Sequence, residues 1–263
     1  MATLTRTAPS APARSSSRKA GGRSTYFSLS RSHRYSILFA LPLLLGYEAL
    51  VTLLAQPGKA ELRNGADAML TAAFTAVAGR HGPAICMSAI ILLGVGLVVR
   101  DMRQTRAGIR PVVFVGMLVE AAVLAALFGF VIGLTTAKLL GSLHALSLGP
   151  IQRTSWATRL MLSLGAGLYE ELFFRVLLVG GLAAGARIVL GFGQRAAGIF
   201  AVLIGAVIFS AFHYIGPYGD QLQLQSFVFR MLSGVAFSGL YLLRGFGITA
   251  WTHALYDAFL LLA

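Results

Sequence analysis

Residues 157–184 read ATRLMLSLGAGLYEELFFRVLLVGGLAA. As a helix rising 1.5 Å per residue this run is long enough to cross a bilayer, whose hydrocarbon core takes about 20 mostly apolar residues. Yet Glu170, Glu171 and Arg175 stand near its middle, where each charge costs at least about 2.5 kcal/mol. Outward from this stretch the apolar texture repeats, in Tyr35–Leu54, Pro83–Val99, Pro111–Thr135, Ala196–Tyr214, Ser226–Leu243 and Phe246–Ala263. A further stretch, Ala66–Gly79, is apolar but short and reads as interfacial or re-entrant. The expected fold class is all-α, a polytopic membrane helix bundle of about seven transmembrane helices.

The composition agrees. Of 263 residues 57% are hydrophobic and 12% charged, roughly half the charged share usual in soluble domains, and the mean hydropathy is +0.76. The net charge of +13 does not point to nucleic acid, because the basic residues punctuate apolar runs instead of covering a polar surface. Arg6, Arg14, Arg18, Lys19, Arg23, Arg31 and Arg34 crowd the first 34 positions, which hold no acid. Residues 1–34 therefore read as a disordered basic tail, and Arg and Ser without acid also fit a targeting segment. N-terminal transmembrane helices are expected over 35–150. One cysteine, Cys86, excludes an intramolecular disulfide and any multi-cysteine metal site. Arg100, Arg103, Arg106, Arg110, Arg187, Arg195 and Arg244 fall on the same side as the basic tail if the runs alternate, so the N-terminus is expected in the cytoplasm.

Five of the nine acids lie inside the apolar runs: Glu48, Glu120, Glu170, Glu171 and Asp257, joined there by His213 and His253. Glu48 and Glu120 stand alone and read as protonated hydrogen-bond donors between helices. In Glu170-Glu171-Leu172-Phe173-Phe174-Arg175 the spacing is more telling. On an α-helix Glu171 and Arg175 lie one turn apart on one face, acid first, and neutralise each other, while Glu170 is turned about 100° away and left free. Phe209-Ser210-Ala211-Phe212-His213 ends the next run. His253-Ala254-Leu255-Tyr256-Asp257 puts an imidazole and a carboxyl four residues apart in the last.

These three motifs, in this order on successive late helices, resemble the CPBP family of intramembrane proteases, which includes the CAAX prenyl endopeptidases and bacterial relatives linked to bacteriocin processing and immunity. The family pattern Glu-Glu-x-x-x-Arg, Phe-x-x-x-His, His-x-x-x-Asn/Asp is met by Glu170, Glu171 and Arg175, by Phe209 and His213, and by His253 and Asp257. The resemblance covers roughly residues 157–263. It implies a catalytic core over 151–263 that hydrolyses a peptide bond in a membrane-associated or lipid-anchored protein, with the bilayer as its other partner and no nucleic acid. The expected enzyme is glutamic-type. Glu170, helped by His213, activates a water; Glu171 and Arg175 hold the helix; His253, oriented by Asp257, stabilises the oxyanion. No cofactor is expected, and there is no His-Glu-x-x-His, although two histidines with carboxylates leave a divalent metal as an alternative. The expected location is a multi-pass place in a membrane, a bacterial inner membrane by the resemblance. A rhomboid-type serine is not supported, since Ala236 stands where Gly is required before Ser238-Gly239. Proton-coupled transport, which would enlist Glu48 and Glu120, and an inactive scaffold or immunity protein are the alternatives of other classes.

Overall fold

In lipid every backbone N–H and C=O must find its partner within the segment, and every regular element among the described residues is helical. The computed structural model describes residues 25–58, 61–105, 108–140, 154–216 and 219–262. A short α1, Tyr26–Ser30, leads into α2, His33–Leu54. Then come α3, Gly65–Ala78, a 3-10 turn at Gly79–His81, and α4, Gly82–Thr105. Helix α5 spans Pro111–Leu140, with proline at a first position where its missing N–H costs nothing. Helix α6, Trp156–Gly165, runs without a break into a π-helical segment, Ala166–Val179, and on into α7, Gly180–Ile188. The chain closes with α8, Gln194–Phe212, α9, Leu224–Arg244, and α10, Phe246–Leu262. Only Gly245, at φ +80°, separates α9 from α10, a left-handed conformation that glycine alone adopts without penalty.

Each apolar run of the sequence coincides with a helix. Five stretches are long and apolar enough to cross a membrane: His33–Leu54, Gly65–Thr105, Pro111–Leu140, Gln194–Phe212 and Leu224–Arg244. The chain is an integral membrane protein. The other two expected crossings fold as the α6–α7 rod and as the 17-residue α10. The short stretch at 66–79 folds as α3, joined to α4 through the 3-10 turn.

Helix α10 is the hub, packed on α2, α5, α6, the π segment and α9. Its Ile248, Thr249, Ala250 and Thr252 are wholly buried. Small residues bring the rod against it: a Cβ on Gly167 would lie 2.3 Å from the Ala250 carbonyl oxygen and 2.6 Å from Ala254 Cβ. Such close backbone approach is how helices associate where lipid removes the hydrophobic drive. The outer faces of α4 and α5 remain apolar and exposed, through Leu92, Leu93, Val115, Val119 and Phe130, as a lipid-facing surface requires.

The disordered tail expected over 1–34 needs correction at its end. Residues 1–24 lie outside the described residues, but 26–30 and 33–34 are helical and Ser30 and Arg34 are buried. The cause is a polar latch. Arg244, at the end of α9, holds the Glu120 carboxylate with Nε at 2.5 Å and a second nitrogen at 2.7 Å, and also donates to Ser30 Oγ at 2.9 Å. Tyr26 donates its hydroxyl to Glu120 at 2.6 Å; burial first, then that carboxylate, pushes the Tyr26 hydroxyl up to about 12. Arg34 adds a backbone N–H to Asp101 and a guanidinium bond to Thr105. Glu120 is therefore an ion-paired acceptor, not the protonated donor expected, because the last turn of α9 supplies a cation that its sequence neighbourhood does not show. Arg244→Ala leaves Glu120 half-buried without its cation and should lower stability by about 2–3 kcal/mol, read by thermal unfolding in detergent, whereas Glu120→Met with Arg244→Met should recover most of the loss.

Candidate active site

The paired carboxylates lie on the π segment. Helices with i→i+5 bonding are rare and concentrate at functional sites. The α-helical spacing assumed for Glu171 and Arg175 is thus replaced by a wider turn, yet the pair survives, with Arg175 Nη1 3.2 Å from Glu171 Oε1. Both side chains are essentially unexposed. The guanidinium lies 4.4 Å from the Phe209 ring centroid and 5.4 Å from that of Phe237, so aromatic faces supply the electron density that solvent would otherwise give.

Glu171 has a second partner. His253 Nδ1 donates to its Oε1 at 2.6 Å, and the imidazole stacks on Phe237 at 4.3 Å. Asp257 Oδ2 stands 3.7 Å from the other ring nitrogen, Nε2. The nearer orienting group for His253 is thus Glu171, where the sequence motif suggests Asp257. The reason is tertiary: α10 packs on the π segment, which brings a carboxylate from another helix closer than the one a turn away on its own.

Glu170, one residue earlier, faces elsewhere. Its Oε2 lies 4.0 Å from His213 Nε2. His213 caps α8, and its Nδ1 is 2.8 Å from the Phe209 carbonyl oxygen. A carbonyl only accepts, so Nδ1 carries the proton and Nε2 of the neutral ring is an acceptor aimed toward Glu170. At 4.0 Å the two atoms are too far apart to bond directly, and the separation matches the span of a water hydrogen-bonded to both. Glu170, Glu171, Arg175, His213, His253 and Asp257 therefore come together from the rod, α8 and α10.

The remaining Glu170 oxygen, Oε1, accepts from Asn64 Nδ2 at 2.9 Å. Sequence reading missed Asn64. The available signal was an Asn one residue before a helix-forming apolar stretch, the pattern of an N-cap, but nothing local told that the cap of α3 would meet a carboxylate 106 residues away. Glu48 is likewise no isolated donor: it accepts from the Tyr169 hydroxyl at 3.0 Å and lies 3.5 Å from Arg63. Arg63 also meets Asp67 at 2.9 Å and Glu61 at 3.1 Å. Burial works against the charge of Arg63, and the Asp67 hydrogen bond with the Asp67 and Glu48 charges overrides it, raising this guanidinium above its ordinary range. A cavity of about 300 Å³ lined by Glu48, Arg63, Asp67, Cys86 and Tyr169 adjoins this cluster. Among the described residues no group of three or more His, Cys, Asp or Glu side chains is arranged to hold a metal ion.

Residues 152–259 match the family model described as Rce1-like, type II CAAX prenyl endopeptidase, in agreement with the CPBP resemblance of the three motifs, all of which fall inside the matched segment. The late part of the chain is thus similar to type II CAAX prenyl endopeptidases. No curated protein and no solved structure matches the chain.

Gly165 sits where the rod meets both Tyr47 and Asn64: a Cβ there would stand 2.6 Å from the Tyr47 ring and 2.8 Å from Asn64 Cβ. Gly165→Ala should therefore destabilise the protein by roughly 1–3 kcal/mol through overpacking, seen as a lower midpoint in thermal unfolding.

Proposed function

With residues 152–259 carrying the Rce1-like match, we propose that the chain is a glutamic-type intramembrane endopeptidase in which Glu170 and His213 activate the hydrolytic water. The observation that carries this reading is the 4.0 Å gap between Glu170 Oε2 and His213 Nε2, two acceptors spaced for one water. Such a water gives a hydrogen to each and keeps an oxygen lone pair for the scissile carbonyl. As the water oxygen bonds to the carbonyl carbon, Glu170 takes its proton. His253, in its doubly protonated form, donates Nε2–H to the developing oxyanion, a use in which preorganised donors count most. The tetrahedral intermediate then expels the amine as the C–N bond breaks, and Glu170 returns the proton to the leaving nitrogen. Glu171 and Arg175 fix His253 and the rod, and Asp257 flanks the same imidazole. No metal is needed for these steps.

The substrate class we favour is a membrane-associated or lipid-anchored protein cut near its anchor, as the family's description suggests. Its side of approach follows from charge. Helices α2, α8 and α10 start at or beside Arg34, Arg195 and Arg244 and reach Tyr47 in the later half of α2, His213 at the far end of α8 and His253 midway along α10. Basic ends face the cytoplasm, so the site belongs to the opposite half of the bilayer, with the segment before α2 cytoplasmic and a bacterial inner membrane as the setting.

Transport is less well supported, because the two acids it would enlist are occupied elsewhere: Glu120 by Arg244 and Tyr26, Glu48 by Tyr169 and Arg63. Comparing peptide termini in membranes carrying wild type and Glu170→Gln should show termini made by the wild type alone, with activity in the variant down at least roughly 100-fold. Glu120→Gln, remote from the water site, should retain those termini. A Glu170→Gln protein that is folded, abundant and still cutting would overturn the mechanism.

A further inference from the structure

Two adjacent carboxylates receive different treatment in this fold. Glu171 is bonded to a cationic partner and an imidazole, Arg175 and His253. Glu170 is held at Oε1 by a neutral amide, Asn64 Nδ2, at 2.9 Å. The amide cannot be reversed without loss, since Asn64 Oδ1 accepts from Ala66 N at 2.9 Å as the cap of α3. The backbone of Asn64 is fixed as well. Its N–H donates to the Tyr47 hydroxyl at 2.9 Å, that hydroxyl donates to Asp67 at 2.8 Å, and Asp67 is gripped by Arg63 and Thr71. Asn64 is 6% exposed, so water does not compete for these bonds.

We infer that Asn64, which lies outside the family-matched segment, is a positioning residue for hydrolysis: it fixes the Glu170 carboxylate through Oε1 and leaves Oε2 as the oxygen presented to the water. A neutral donor suits this task. A lysine or arginine at the same place would neutralise the base as Arg175 neutralises Glu171, while an apolar residue would leave Glu170 free to rotate away from His213. Dislocation of a reacting group by about 1 Å costs roughly 100-fold in rate. The inference rests on the reading of Glu170 as the general base.

The test separates the amide from the cap. Asn64→Ser keeps a side-chain oxygen of equal capping quality for α3 and loses the donor to Glu170; Asn64→Asp also keeps the cap but sets a carboxylate against Oε1. Full-length protein in phosphatidylcholine vesicles is assayed on a farnesylated, internally quenched peptide ending in Cys-a-a-X, beside wild type and Glu170→Gln. Asn64→Ser should melt close to wild type, hold KM within about twofold, and lose roughly 100-fold in kcat, with Asn64→Asp at least as impaired. Cleavage that needs Glu170 but proceeds at wild-type kcat in Asn64→Ser overturns the inference alone. A loss of rate matched by a lowered melting point or a smaller folded fraction assigns Asn64 to stability and overturns it too. If wild type cuts no better than Glu170→Gln, the glutamic reading falls and the inference with it.

Discussion

The structure turns on a single offset of one residue, Glu170 beside Glu171, in a place where a carboxylate without a partner is prohibitively costly. Replacing or burying a charge in a low-dielectric interior is tolerable only with complete compensation, and the helical step between neighbours sends the two side chains to different sets of partners. Much of the late bundle is arranged around the Glu171 set. Helix α10 brings His253, the rod itself brings Arg175 one turn on, and α8 and α9 bring Phe209 and Phe237 to cover the guanidinium. With Glu171 neutralised inside this assembly, Glu170 is the carboxylate left to face His213, 4.0 Å away.

Holding that arrangement in lipid requires close backbone contact more than bulky side chains. Gly167 against Ala250 and Ala254, and Gly165 against Tyr47 and Asn64, let the rod touch α10 on one side and α2 with the α3 cap on the other. The polar latch of Glu120, Arg244, Tyr26 and Ser30 closes the far end of the bundle. Ion pairing binds helices together at the basic end, and at the other the ion pairs of Arg175 and Arg63 stand beside amide and imidazole groups.

The sequence was informative wherever the deciding pattern was local. Apolar runs located the helices, and intramembrane Glu170, Glu171, Arg175, His213, His253 and Asp257 stood out because each is expensive where it lies; the structure gathers them. What sequence could not show was pairing across long separations. The Glu171–His253 bond spans 82 residues and Arg244–Glu120 spans 124, so spacing alone pairs His253 with its near neighbour Asp257 and leaves Glu120 without a partner. The π turn was also hidden, because its wider bonding leaves an i, i+4 ion pair intact. Asn64 looks like an ordinary cap, since the acid it meets lies 106 residues away in the chain.

The Asn64–Glu170 bond also bears on how the chain is divided. Motif resemblance draws a boundary near residue 150, and the family match begins just after it, but the contacts of Tyr47, Asn64 and Gly165 cross that line at or beside the Glu170 carboxylate. The late segment is therefore half of an interface and not a detachable module. Cut within 141–153 and produced as two pieces, the protein would behave as a split protein, in which neither fragment is complete and recovery of the site measures the reassembly of helices in the bilayer.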